Sequence, residues 1–166
     1  MKGGEDVNAE RYRRWSAPFR KTRVIPVTDK VLTAIVYVAY PLSLWLAWQK
    51  GMPTLWRAVC VPALCLVLVS IVRRLINRPR PYERLSIYPL IEKDTKGRSF
   101  PSRHAFSVWM IAATAWWVLP PLGVALAVVG VLLCVIRVLG GVHDEWDVLA
   151  GALIGVLAGI VGYWVF

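Results

Sequence analysis

The fold class that the sequence predicts is all-α: an integral membrane helical bundle of about five transmembrane helices, led by an amphipathic basic segment. Three observations predict it. Of the 166 residues, 57% are apolar, above the roughly 45–50% usual in soluble domains. The charged residues, 18% of the chain, are nearly absent from five long stretches, and a soluble chain of this length would have no polar face left for water. Those stretches lack alternation and are too long for barrel strands. Disorder, a disulfide scaffold and a collagen-like rod are excluded by the same composition. The odd cysteines, Cys60, Cys65 and Cys134, fall inside apolar stretches and read as small core hydrophobes.

Residues 1–28 mix Arg11, Arg13, Arg14, Arg20, Lys21 and Arg23 with Tyr12, Trp15 and Phe19. No apolar core of signal-peptide type is present. Clustered basic and aromatic residues ahead of a span suit a segment lying on the headgroups, and a partly disordered basic tail is the other reading. Residues 29–166 form the predicted membrane domain. Its apolar stretches run from about Val31 to Trp48, Leu55 to Ile76, Ser102 to Leu119, Leu122 to Leu139 and Asp147 to Phe166. Each is near the roughly 17–25 residues that cross a hydrocarbon core as a helix. In the last stretch, Gly151, Gly155 and Gly159 share one helix face and predict close approach of a neighbouring helix. Trp45, Trp48, Trp56, Trp116, Trp117 and Trp164 predict an aromatic belt at one membrane face.

The connections are unequal. Residues 77–101 form a long loop carrying Arg78, Arg80, Arg84, Lys93, Lys96 and Arg98, together with an apolar patch, Leu85–Ile91, suited to a lid in the interface. Five crossings bring the end of the second stretch, the start of the third, the end of the fourth and the start of the fifth to one side. Arg73, Arg80, Ser102, His104, Arg137, His143 and Asp147 collect there, including both histidines of the chain. Ionisable groups at membrane depth are costly and are candidates for function by default. At a helical start His143 and Asp147 face the same way, so a carboxylate can hold one ring nitrogen and leave the other free as nucleophile or base. Ser102 suits an N-cap, and the free N–H groups of that terminus suit a phosphate. Arginine guanidinium groups match phosphate oxygens best. The sum is a phosphate pocket with two histidines in different roles, and the net charge of +10 fits an anionic lipid partner better than nucleic acid. For Arg74, Arg78 and Arg84, snorkelling to headgroups and function are open alternatives.

The chain resembles the type 2 phosphatidic acid phosphatase superfamily. Against its three signatures stand Arg73-x6-Arg80-Pro81, Pro101-Ser102-Arg103-His104 and Ile136-Arg137-x5-His143-x3-Asp147. Order, spacing and placement at helix ends agree. Arg73 stands where the family usually has Lys, Arg103 replaces Gly and Ile136 replaces Ser. Membrane members usually have six helices; here the first is missing or reduced to the amphipathic N-terminal segment. The resemblance implies a lipid phosphate or diphosphate phosphatase without metal or other cofactor. In it His143 attacks phosphorus, Asp147 orients it, and His104 protonates the leaving oxygen. Arg73, Arg80, Arg137, Ser102 and the Arg103 amide hold the phosphate oxygens. The expected substrates are a polyprenyl diphosphate, phosphatidylglycerophosphate and phosphatidate, in that order. A related vanadate-dependent haloperoxidase is disfavoured because those enzymes are soluble and larger; a non-catalytic bundle binding anionic lipid is the alternative from another class. Asp144 and Glu145 read as solvated loop acids, since two histidines without a nearby thiol supply a zinc site poorly. All Lys and Arg except Lys50 and Arg57 fall on the motif side, so the positive-inside rule puts that side in the cytoplasm of a cell-membrane protein.

Overall fold

The computed structural model describes residues 2–165, with side chains from Asn8 onward; Met1 and Phe166, the outer ends of the two predicted segments, lie outside the described residues. Seven helices follow one another: α1 (Lys2–Ser16), α2 (Val24–Gln49), α3 (Met52–Ile76), the single turn α4 (Pro81–Arg84), α5 (Arg103–Val118), α6 (Pro120–Leu139) and α7 (Glu145–Ile160), which runs on into a π-helical turn, Val161–Val165. No strand occurs among the described residues.

Local chemistry sets the ends. Gly51 takes a positive φ of 114° ahead of Pro53 in the first turn of α3, and Asn77 ends that helix in the left-handed region, where asparagine is tolerated. The Pro120–Pro121 pair opens α6, where proline's missing N–H costs nothing. α2 begins earlier than the predicted Val31. Its first turn admits Pro26, and Asp29 lies on its buried face rather than in solvent. The N-terminal segment is helical from Lys2, not a disordered tail. From Asn8 onward Ala9, Tyr12 and Ser16, at helical spacing, are its buried residues.

α2, α3, α6 and α7 together with its π-helical turn (Glu145–Val165) are each long and apolar enough to cross a membrane. α5, the remaining predicted crossing, has 16 residues, or about 24 Å at 1.5 Å per residue, short of the roughly 30 Å hydrocarbon core. It lies at the centre of the bundle and packs most extensively against α7 and α6. Glycines make that closeness: an added Cβ at Gly155 would meet the Phe106 carbonyl oxygen at 2.7 Å, and one at Gly151 or Gly159 would collide with the Ser102 carbonyl or Ala113.

Helices alternate in direction, so the starts of α2, α5 and α7 meet the ends of α3 and α6. The Ser102 amide donates to the Asp147 carbonyl (2.8 Å), joining the starts of α5 and α7. Asp29 of α2 pairs with Arg137 of α6. At the opposite end Trp45, Trp48, Trp56, Trp116 and Trp164 are about half exposed. Trp117 instead turns inward and stacks on Tyr163 at 4.7 Å.

The long loop departs from the expected lid. Leu85 and Ile87 pack on Ala9 and Tyr12 of α1, and Ile91 packs on Ile25 and Val142. Its amides Leu90 and Ile91 donate to the Gly140 carbonyl at 3.0 and 3.2 Å. The apolar patch is consumed by the protein itself, which leaves Tyr88 as its exposed large side chain.

Candidate active site

The turn after α6 carries His143, and four neighbours hold it. Gly141 adopts a φ of 74°, and a Cβ there would strike the Tyr12 hydroxyl at 2.6 Å, so the turn requires glycine on both counts. Arg80 donates to the Val142 carbonyl (3.1 Å) and the Gly97 carbonyl (3.1 Å), bracing the turn against the long loop. His143 Nδ1 lies 3.4 Å from Asp147 Oδ2, one helical turn on. Ser99 Oγ lies 3.4 Å from the same nitrogen and donates to Asp147 Oδ2. A carboxylate at Nδ1 fixes the proton there and leaves Nε2 with its lone pair. His143 is 2% exposed. Burial pushes its imidazolium down to about 4, although Asp147 pulls the other way and the charges of Arg80 and Arg137 add to the lowering.

Asp147 is fully committed. Besides His143 and Ser99 it accepts from the Asp144 amide (3.1 Å) and, on Oδ1, from Arg78 (3.1 Å). Arg78 also bonds Asp144 (3.0 Å), which Arg84 meets at 2.9 Å. Asp144 is therefore a clamped ion-pair partner rather than a solvated acid. Glu145 is half exposed and pairs with Arg11 of α1 at 3.2 Å. Two arginines whose roles the sequence left open, Arg78 and Arg84, thus tie the loop to the start of α7.

The remaining motif residues divide by what they touch. Arg73, at the end of α3, donates to the carbonyls of Arg98, Ser99 and Pro101, so its fork organises the backbone ahead of α5. Ser102 is the N-cap of α5, and its hydroxyl accepts from the Ala105 amide at 3.4 Å. Arg103 is exposed at the first position of α5, and His104 is half buried beside it. Arg137 is buried with Asp29 at 2.9 Å. Lys93, which the sequence did not single out, is half buried. Burial and the charges of Arg80, Arg137, Arg103 and Arg73 push its ammonium down to about 8. Arg103 and His104 also line an apolar cavity of about 540 Å³ between α2, α3 and α5, walled by Val36, Tyr40, Pro62 and Leu66.

Ser99, Lys93 and Asp29 escaped the sequence reading as site residues, and the role of Arg78 was left open. Only Asp29 left a signal there, as a carboxylate four residues from Ile25 and three from Leu32 on an apolar helix face.

A bundle whose histidines and buried cations gather where the starts of α2, α5 and α7 meet the ends of α3 and α6 is, by class, an integral membrane protein with a polar site at one end. The chain belongs to the PAP2 superfamily, whose sequence profile matches residues 54–166. It is similar to LpxE of Aquifex aeolicus, with 26% identity, a TM-score of 0.69 and 92% of each chain covered. It is also similar to a transmembrane PAP2-type phosphatidylglycerolphosphate phosphatase from Bacillus subtilis. There the identity is 23% and the TM-score 0.67, covering 94% of this chain and 83% of that one, a likeness of fold. No functionally curated protein matches the sequence.

Proposed function

We propose that the protein hydrolyses a lipid phosphate or diphosphate through a phosphohistidine on His143. The observation that carries this reading is the His143–Asp147 pair, 3.4 Å apart and buried, at the end of the bundle where Arg103 and His104 line an apolar cavity. A phosphate placed among Arg80, Arg137, Lys93 and the free amides of Arg103 and His104 leaves its hydrocarbon chain to run between α2, α3 and α5. His143 Nε2 attacks phosphorus, forming an N–P bond as the P–O bond to the lipid breaks. His104 gives its proton to the departing oxygen. Water then attacks the phosphohistidine while His104 takes a proton from it, releasing inorganic phosphate and restoring both rings. The cations and amides stabilise the charge that moves onto the equatorial oxygens. Each step is a proton or phosphoryl transfer between groups of this chain and substrate, so no metal or cofactor is required.

The substrate order remains polyprenyl diphosphate, phosphatidylglycerophosphate, then phosphatidate, and the site end faces the cytoplasm. The test is phosphate release by the purified protein across a panel of these lipids, with and without EDTA. Release that survives EDTA and is blocked by vanadate, a mimic of five-coordinate phosphorus, is expected. Loss of activity in EDTA with recovery on adding zinc or magnesium would overturn the mechanism. Vesicle binding without any release would point to an anionic-lipid-binding bundle.

A further inference from the structure

Two of the three buried motif arginines are tied to backbone carbonyls: Arg73 around residues 98–101, Arg80 at Gly97 and Val142. Arg137 is different. Its side chain is 4% exposed, yet its Nε has no hydrogen-bond partner among the described residues. Its neighbour is Asp29, whose Oδ1 stands 2.9 Å from Nε but out of line for a hydrogen bond. The carboxylate sits beside Nε, and neither Nη group makes a hydrogen bond among the described residues. Asp29 itself lies on the buried stripe of α2 that also carries Ile25, Leu32 and Val36, one side chain away from the Val108–Leu133 core.

Stability alone does not account for a carboxylate there. Taking two charges out of water costs about as much as their attraction returns, and an apolar pair of similar volume packs as well or better. A guanidinium that must present its planar Nη edge to a phosphate does need a fixed rotation, and a counter-charge while the pocket is empty.

We propose that Asp29, from the first membrane-crossing helix, is a positioning residue of the phosphate site. It holds the Arg137 guanidinium so that both Nη groups face the bound phosphate. This rests on the reading of Arg137 as a phosphate ligand. It extends the site to a helix outside the three motifs and outside residues 54–166.

The test is vanadate binding to the purified full-length protein by calorimetry, alongside kcat and KM on the fastest lipid of the panel. Asp29→Asn keeps the side-chain shape and removes the charge. It is expected to weaken vanadate binding and lower kcat/KM by about tenfold to about a hundredfold, the scale on which misplaced catalytic groups act. Asp29→Glu should recover most of the loss, and Asp29→Asn should add little in an Arg137→Ala background, because coupled residues are not additive. Unchanged or tighter vanadate binding in folded Asp29→Asn overturns the proposal, since the carboxylate then is idle or competes with the anion. If Arg137→Ala weakens vanadate binding while Asp29→Asn does not, the proposal fails and the site reading stands. If Arg137→Ala binds vanadate as the parent does, both fail.

Discussion

A histidine is useful as a nucleophile only while its free nitrogen is unprotonated. Around His143 the surroundings ensure that: burial drives the imidazolium down to about 4 from an ordinary 6.5. The sign follows directly. Protonation is disfavoured in the folded site, so the activity that depends on this ring should persist well below neutrality and fall as the pH drops towards 4. An acid limb centred near 6.5 in a kcat–pH profile would contradict it. His143→Ala should abolish turnover with the helical circular dichroism intact, and near-normal phosphate release from that variant would sink the mechanism. Asp147→Asn should cost less, because it disturbs the ring's orientation without deleting the attacking atom. His104→Ala should lower kcat by about 10²- to 10⁴-fold, the usual contribution of a proton donor. Arg78→Ala leaves Asp147 Oδ1 short of a donor, which costs about 1.5–3 kcal/mol of stability for a hydrogen bond to a charged group, readable as a lowered Tm in detergent. The motif residues were legible because spacing within one helix or turn fixes which way they point, as with His143 and Asp147. Ser99 and Lys93 were not, and Arg78 stayed open, since a loop brings all three to the site through contacts such as Arg73 with the Ser99 carbonyl. Spacing also could not show that Arg73 would spend its donors on backbone.

Among the elements, the α5–α7 seam decides whether the site exists. Ser102 and Asp147 are joined by a backbone hydrogen bond, and that contact requires the glycine face of α7 to touch α5. Gly155→Val drives a side chain into the Phe106 carbonyl, whose distance to an added Cβ is already 2.7 Å. Overpacking of this kind costs about 1–3 kcal/mol, so both Tm and activity should fall. A variant with unchanged Tm would show that the seam is looser than described. The membrane helices and the glycine stripe were plain in the sequence, because lipid demands long uncharged runs and close packing demands small residues. The docking of α1 was not, because the buried face among its described side chains is Ala9, Tyr12 and Ser16, set among charges. Nor was the fate of Leu85–Ile91, whose apolar character serves a protein neighbour as well as it would serve lipid.

For the molecule as a whole, the two ends are chemically unlike. Trp45, Trp48, Trp56, Trp116 and Trp164 gather at one, and the lysines and arginines among the described side chains, Lys50 and Arg57 apart, at the other. In cells, with Cys60, Cys65 and Cys134 replaced, Lys96→Cys should resist an impermeant thiol reagent and Met52→Cys should react; the reverse pattern would put catalysis outside. The imbalance has a further effect on traffic. Each cation near a bilayer surface attracts anionic lipid by about 1 kcal/mol, so the leaflet at the site end becomes a reservoir in which charged lipids outnumber their share. A lipid that loses one phosphate there carries less charge and is held less tightly. Its place is then taken by a molecule still carrying the group, so the proposed reaction would clear its own doorway.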